Sequence, residues 1–475
     1  MWGSDIDRRE FVIAGAGAAA AAGAAALLGA LPGCAGGNAS SSNSSAAAGK
    51  PSSKGPTSSA TASAPSASSA PYDGYFDPHD PIGKGVGLHP GRVSWAYGPG
   101  SVSWEGDGYW WELDHFGEAA VRGLVDAAIT SLAGEESPAA AWSALFEARN
   151  GGAEYRSGQR VVIKANINGA AEYDDDPDGL SHDSYTNPVL LKCVLASLVE
   201  SAGVAPADIT VLDATRIFPR YMRDLCTQGD LAGVTFADRA GGAEADPDAP
   251  VVWSEPISGS PCYLPTCVTQ ADYLVNLANM KGHNYGVTLC AKNHFGTIMN
   301  DYLFRAPQQA GLHPYLTRNE MGIYNPLVDL MGHAQLGSKT VLYLLDALLC
   351  PSENTVAMTP ENCTWEQAPF DGSYTASVIA SQDPVAIDSV AADFLANEPM
   401  VQRLNHNLNA GMENYLHEAA LADAAPSGTA YTNGQGAPLA SLGVHEHWNN
   451  GADKLYSRNL GAEEGIELIR VNLTM

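Results

Sequence analysis

The chain has 475 residues, 45% of them hydrophobic, and 25 Lys and Arg against 53 Asp and Glu give a formal net charge of −28. Such an acidic balance argues against nucleic acid as a partner and against broad adhesion to anionic lipid. The apolar share supports a sizeable core, and the chain beyond about Pro71 is long enough for one large or two ordinary domains.

The first element is not a structural helix. Asp7-Arg8-Arg9-Glu10-Phe11-Val12-Ile13 opens an uncharged stretch that runs to Gly33, with Cys34 directly after it. A charged start, an apolar middle and a small-residue site make a secretory signal. The arginine pair followed by Glu-Phe resembles the twin-arginine signal, whose export machinery carries folded proteins. Leu31-Pro32-Gly33-Cys34 resembles a lipobox, in which the cysteine is acylated and becomes the new N-terminus. The stretch is poor in Leu, Ile and Val, which disfavours a plain transmembrane anchor. The expected location is therefore extracytoplasmic, on the outer face of the cell membrane, with a lipid on Cys34 as the membrane contact.

Residues 35–71 are almost only Ser, Ala, Gly, Pro, Thr, Asn and Lys. They offer no apolar face to bury, so the expectation is a disordered tether. No later hydrophobic run is long enough to span a bilayer.

The folded part begins with a strand at Arg92–Tyr97 and helices over 117–132 and 138–148, read from alternating and then 3.6-residue apolar spacing. Arg160-Val161-Val162-Ile163-Lys164 is a short β-branched run of the kind a buried strand needs. A helix from Asn187-Pro188 to Gly203 follows, then a strand at Ile209–Asp213. Further strands are expected at 271–277, 340–349 and 377–380, and a helix at 384–397. Alternating strands and helices predict an α/β fold, with a mostly parallel sheet flanked by helices. The resulting division is a signal at 1–34, the tether at 35–71, an N-terminal part of the folded domain at 72–159, a core at 160–395 and a polar C-terminal extension at 396–475. That extension is expected to be mostly loop with short helices, packing on the core.

Polar residues recur just past the strands, where sheets of this kind place their sites. Lys164, Asn166 and Asn168 follow the first core strand. Asp213 and Arg216 follow the second. Lys281 and His283 follow the third, and Lys292, Asn293 and His294 come shortly after. Asp383 follows the strand at 377–380.

The succession Val-Ile-Lys-x-Asn, Thr186-Asn187-Pro188, Val-Leu-Asp-Ala, Met-Lys-Gly-His, Ala-Lys-Asn-His-Phe-Gly and Asp383-Pro384-Val385-Ala386-Ile387-Asp388 resembles domain of unknown function family 362, over roughly residues 160–395. The order of six motifs makes the resemblance specific. It implies a fold region without naming a reaction, because that family's activity is not established. Many of its members add a ferredoxin-like cluster module. This chain lacks the cysteine runs for one and has no C-x-x-C, so an iron–sulfur cluster is not expected.

The cations decide most in so acidic a chain. Lys164, Arg216, Lys281 and Lys292, gathered at one rim with Asn166, Asn168 and Asn293, would form a site for a small anionic ligand. His283 and His294 would act as general acid or base, oriented by Asp213 or Asp383, or would instead bind a divalent metal with one of those carboxylates. His182 is a secondary candidate beside the Thr-Asn-Pro motif. The acidic run at 174–179 lacks the alternating ligands and distal Glu of an EF-hand and reads as a solvated loop. His445-Glu446-His447-Trp448-Asn449-Asn450 in the polar extension would add a ligand or an aromatic wall to that site, or merely bind adventitious metal. Cys262 and Cys267 flank four residues and would close a small disulfide outside the cell or remain reduced. Two functions stay open: an extracytoplasmic enzyme acting on an anionic substrate or cofactor, and a lipid-anchored anion- or metal-binding protein without turnover.

Overall fold

The computed structural model describes residues 76–168, 182–257, 261–283, 285–299, 312–316, 320–354, 356–405 and 410–474. The signal, the tether, Cys34 and the acidic run at 174–179 lie outside them. Among the described residues, no helix is long and apolar enough to cross a membrane.

An eight-stranded sheet organises the fold. Its spatial order is Glu467–Asn472, Arg92–Tyr97, Ser377–Ser381, Thr340–Ala347, Tyr273–Asn279, Val161–Ala165, Ile209–Asp213 and Thr235–Asp238. The inner strands are buried along their whole length, which is why they read as continuous apolar runs rather than alternating ones. The sheet is α/β in class but mixed, correcting the expectation of a mostly parallel one. Ser377–Ser381 runs against both neighbours, while the other pairings are parallel. Strand direction leaves no mark on side-chain pattern, so a β-branched run reads alike either way.

Helices cover both faces. Ser94 hydrogen-bonds Ser131 of the helix Glu118–Ala133, whereas the next residue, Trp95, packs edge-on against Phe394 of the helix Pro384–Asn397. Consecutive strand residues point to opposite faces, so the two helices sandwich the sheet. Capping sets the helix starts. Asn187 accepts from Val189 N and Leu190 N, with Pro188 in the first turn of Pro188–Glu200. Asp383 accepts from Val385 N and Ala386 N at the start of Pro384–Asn397.

The C-terminal extension does more than pack on the core. Short helices at Asn414–Ala420 and nearby 3-10 turns precede a final strand, Glu467–Asn472, which forms one edge of the sheet beside Arg92–Tyr97. Cys262 and Cys267 are not bridged.

Chain order places the site. From Val161–Ala165 the chain steps outward through Ile209–Asp213 to Thr235–Asp238. It then crosses to the other side of Val161–Ala165 for Tyr273–Asn279 and continues to Thr340–Ala347. The winding direction reverses between Val161–Ala165 and Tyr273–Asn279. Crevices of open α/β sheets form at such a reversal, past the strand C-termini.

Candidate active site: a basic cleft at the strand ends

Lys164 is the floor of this crevice. It is the fourth residue of its strand, is fully buried, and lies in register with Asn276 and Leu212. Its Nζ donates to Asp213 Oδ2 and to Asn293 Oδ1, each at 3.1 Å, and to the Ala165 carbonyl. Burial lowers its pKa, and Asp213 works against that shift. Asp213 also accepts from Ile167 N at 3.1 Å and from Thr215 N and Oγ1, so every bond around it fixes the start of a loop.

Asn293 stitches the two central strands together across the reversal point. Its Nδ2 donates to the Lys164 carbonyl and to Asn276 Oδ1, while its Oδ1 receives Lys164 and, at 3.3 Å, Asn166 Nδ2. The chain that follows approaches Lys164 closely at Gly296. A Cβ there would lie 2.7 Å from Lys164 Nζ and 2.9 Å from Asp213 Oδ1, so the glycine of Ala-Lys-Asn-His-Phe-Gly is required by space.

Above this floor lies a second layer of cations. Lys281 and His283 stand on a small hairpin, Lys281–His283 paired with Gly286–Thr288. Gly282 between them passes so near the Ser352 carbonyl that a Cβ would lie 1.8 Å from it. Lys281 is fully buried and donates to the Ser184 carbonyl at 2.5 Å. Burial lowers its pKa to about 7, although the charges of Asp183 and Asp346 pull the other way. Lys292 is half-buried, with Nζ 5.7 Å above the Phe295 ring. Among the described residues it meets no hydrogen-bond acceptor. Burial drives its pKa far down, and Lys281 and Arg216 add to the shift. Arg216 donates to Asn168 Oδ1 at 2.9 Å and to the Thr215 carbonyl, and its buried Nε has no partner among the described residues.

The imidazoles here are neutral. His283 Nδ1 accepts from Tyr285 N at 2.9 Å, which puts its proton on Nε2. Burial holds it well below the ordinary range, with Lys292 and His313 contributing. His313 stacks on His283 with centroids 5.9 Å apart, and its pKa falls to about 3 through burial and the charges of Lys292 and Arg216. Lys292 also lines a pocket with Tyr285, Leu289, Asn325, Met412 and Tyr415.

The structure thus brings Lys164, Asn166, Asn168, Asp213, Arg216, Lys281, His283, Lys292 and Asn293 to one end of the sheet. His294 is there but enclosed. Its Nε2 pairs with Asn276 Nδ2 at 3.2 Å, and burial takes its pKa to about 3. Asp383 is not there. Its strand is the reversed one: Ser381 pairs with Val93, the second residue of its strand, and Gln382 reaches the Val341 carbonyl near the start of Thr340–Ala347, so Asp383 lies toward the opposite edge. Among the described residues, neither Asp213 nor Asp383 joins His283 and His294 in a group of donors close enough to hold one metal. Asp183 and Ser184 belong to the segment before the Thr-Asn-Pro motif that the sequence offers as folding over the site, and they lie beside Lys281. No motif singles out His313 or Asp346, and of these only Asp346 leaves a signal, as a lone carboxylate in the apolar run Thr340–Ala347. It is buried, accepts from Asn187 N at 2.7 Å, and has its pKa raised by burial to about 6.

These features define an α/β domain with a basic cleft where the winding of its sheet reverses. The family model described as Domain of unknown function (DUF362) matches residues 161–393 and supports that family for the core of the chain. No curated protein matches the chain.

Proposed function

We propose that the protein is an exported, lipid-anchored enzyme that binds a small anionic substrate or cofactor in the cleft and moves a proton there. Lys292 carries this reading: a half-buried amine, facing a pocket, that meets no acceptor among the described residues and whose charged form burial, Lys281 and Arg216 oppose. Such a group is stabilised by an anion. Arg216, with its unpartnered Nε, and the Nε2–H of neutral His283 are the further donors. The proton carrier is Lys281, because its pKa of about 7 matches neutral conditions better than imidazoles held far below them. Lys164, Asn166, Asn168, Asp213 and Asn293 position this layer, and His294 holds Asn276. The signal-like start and Cys34 support export and anchoring.

The test is thermal unfolding of the purified protein with sulfate, phosphate and small carboxylates. At least one should raise the Tm, and Lys292→Met should remove most of the rise. No shift with any anion would defeat the reading.

A further inference from the structure

A second cluster, built mostly outside the family match, has the geometry of a metal site. It joins the first described residues to the C-terminal extension. His79 comes from the start of the fold, Glu413 and His417 from the turn and helix around Asn414–Ala420, and His445 and His447 from the strand Val444–His445 and its continuation. One ligand atom each from His79, His445 and His447 lies within 4.8 Å of the others, and so do atoms from Glu413, His417 and His445.

Three imidazoles have their Nδ1 side engaged from outside. His79 Nδ1 lies 2.7 Å from the Asp80 carbonyl and must donate to it. His447 Nδ1 lies 2.6 Å from Asp393 Oδ1. His445 Nδ1 lies 2.8 Å from Ser389 Oγ, whose own proton goes to the Val385 carbonyl, so the histidine must be the donor. In a neutral imidazole with its proton on Nδ1, Nε2 is a bare lone pair. His445 is fully buried, and among the described residues its Nε2 has no hydrogen-bond partner; neither has Nε2 of His79. A buried acceptor without a donor is costly. Glu413 Oε2 lies 2.8 Å from His447 Nε2, which must donate to it, and 3.8 Å from His445 Nε2, so a carboxylate borders the same space and an ion bound there would displace that proton of His447.

We propose that His79, His445 and His447, with Glu413 as the fourth donor, bind one divalent transition-metal ion of the zinc type. Three imidazole nitrogens and a carboxylate suit that ion, at about 2.0–2.2 Å each. Adjacent ligand atoms would then stand about 3.4 Å apart, so the three imidazoles, whose ligand atoms now lie within 4.8 Å of one another, and Glu413, now 2.8 and 3.8 Å from two of them, must draw together. Outer hydrogen bonds to a carbonyl, a carboxylate and a hydroxyl are the usual supports of metal-bound histidines. The ion staples the start of the fold to its C-terminal extension and, through Asp393 and Ser389, to the helix Pro384–Asn397.

The experiment uses the purified full chain, stripped with a chelator and titrated with Zn2+ against a chromophoric competitor, with Co2+ as a spectroscopic probe. One equivalent should bind tightly, Co2+ should give the intense visible bands of four-coordination, and Zn2+ should raise the Tm. His79→Gln and Glu413→Gln should each weaken binding at least tenfold and dim the cobalt bands. His79 and Glu413 are incompletely buried, so these variants test the site even where His445→Gln fails to fold. Absence of stoichiometric binding overturns the proposal. So does undiminished affinity in both His79→Gln and Glu413→Gln, which would mean an adventitious ion only.

Discussion

Lys164 Nζ lies 3.1 Å from Asp213 Oδ2, and neither side chain has more than 3% of its surface exposed. Removing one member of such a pair strands the other, at about 3–5 kcal/mol. Lys164→Met and Asp213→Asn should each destabilise on that scale. The double variant should cost less than their sum, with a coupling of about 1–3 kcal/mol. Urea unfolding of the four proteins checks this, and strict additivity would show that the pair does not act as a unit.

Gly296 gives a test of how closely the loop must approach that pair. An added methyl collides with Lys164 Nζ and Asp213 Oδ1, neither of which has free space to retreat into. Gly296→Ala should cost about 1–3 kcal/mol, as overpacking does. It should also weaken anion binding by displacing the floor of the cleft. A variant as stable as the parent would mean the loop shifts freely.

Lys281 sets the pH dependence. Its folded pKa of about 7 lies below its ordinary value of 10.5. Below about 7 both folded and unfolded chains hold the proton, and the folded state bears the cost of the buried charge. Between the two values the unfolded chain binds more protons, so this group makes stability rise with pH. Anion binding runs the other way, because the anion needs the ammonium. Sulfate, which does not titrate in this range, should bind evenly at acid pH and weaken as pH rises past neutrality, by at most about tenfold per unit for one proton. The fall begins near the free-site pKa of about 7 and levels off above the higher pKa that bound sulfate gives Lys281. Calorimetry across pH reads it, and Lys281→Met should flatten the curve.

Local signals in the sequence were strong wherever burial or capping dictated residue type. Val161-Val162-Ile163 and Ile209–Asp213 are strands because they are buried on both faces, and Asp383-Pro384 starts a helix because its side chain and ring suit the first turn. The grouping of Lys164, Asp213, Lys281, Lys292 and Asn293 followed from strand-end placement. Three kinds of information left no local trace. The direction of Ser377–Ser381 depends on a long-range crossover. The edge strand Glu467–Asn472, Glu-Leu-Ile-Arg-Val-Asn, mixes charged and apolar residues without strict alternation, so it resembles a solvated tail until Arg92–Tyr97 lies beside it. His313 joins the cleft by stacking on His283, thirty positions earlier, which no spacing rule connects.

The proposed export and anchoring rest on the first 34 residues. Replacing both Arg8 and Arg9 with Lys keeps the charge and removes the guanidinium pair, and the protein should then stay in the cytoplasm. Cys34→Ala should release the protein from membranes or block its processing. Cell fractionation reads both. Normal export of the double lysine variant would remove the twin-arginine reading, and unchanged membrane fractionation of Cys34→Ala would remove the lipid anchor.

Asp383 is where a catalytic and an architectural reading part most cleanly. Its Oδ1 accepts from Val385 N and Ala386 N at 3.0 and 2.9 Å, and its Oδ2 from Val86 N and Val444 N at 3.0 and 3.2 Å. One carboxylate thus caps the helix Pro384–Asn397 and ties two distant segments to it. Burial pushes its pKa up to about 7 even against these four donors. Gly443 crosses so tightly that a Cβ would lie 2.0 Å from Asp383 Oδ1, leaving no room to turn. Asp383→Asn places an amide NH2 against backbone N–H groups, which should cost about 2 kcal/mol or more. Asp383→Ala should cost more, since it orphans all four donors. The rise in Tm caused by sulfate should survive in Asp383→Asn, because the cleft is at the other edge of the sheet, whereas Lys292→Met should show the reverse, a nearly intact fold with the sulfate effect gone. Loss of the sulfate effect in Asp383→Asn at unchanged stability would return Asp383 to the site.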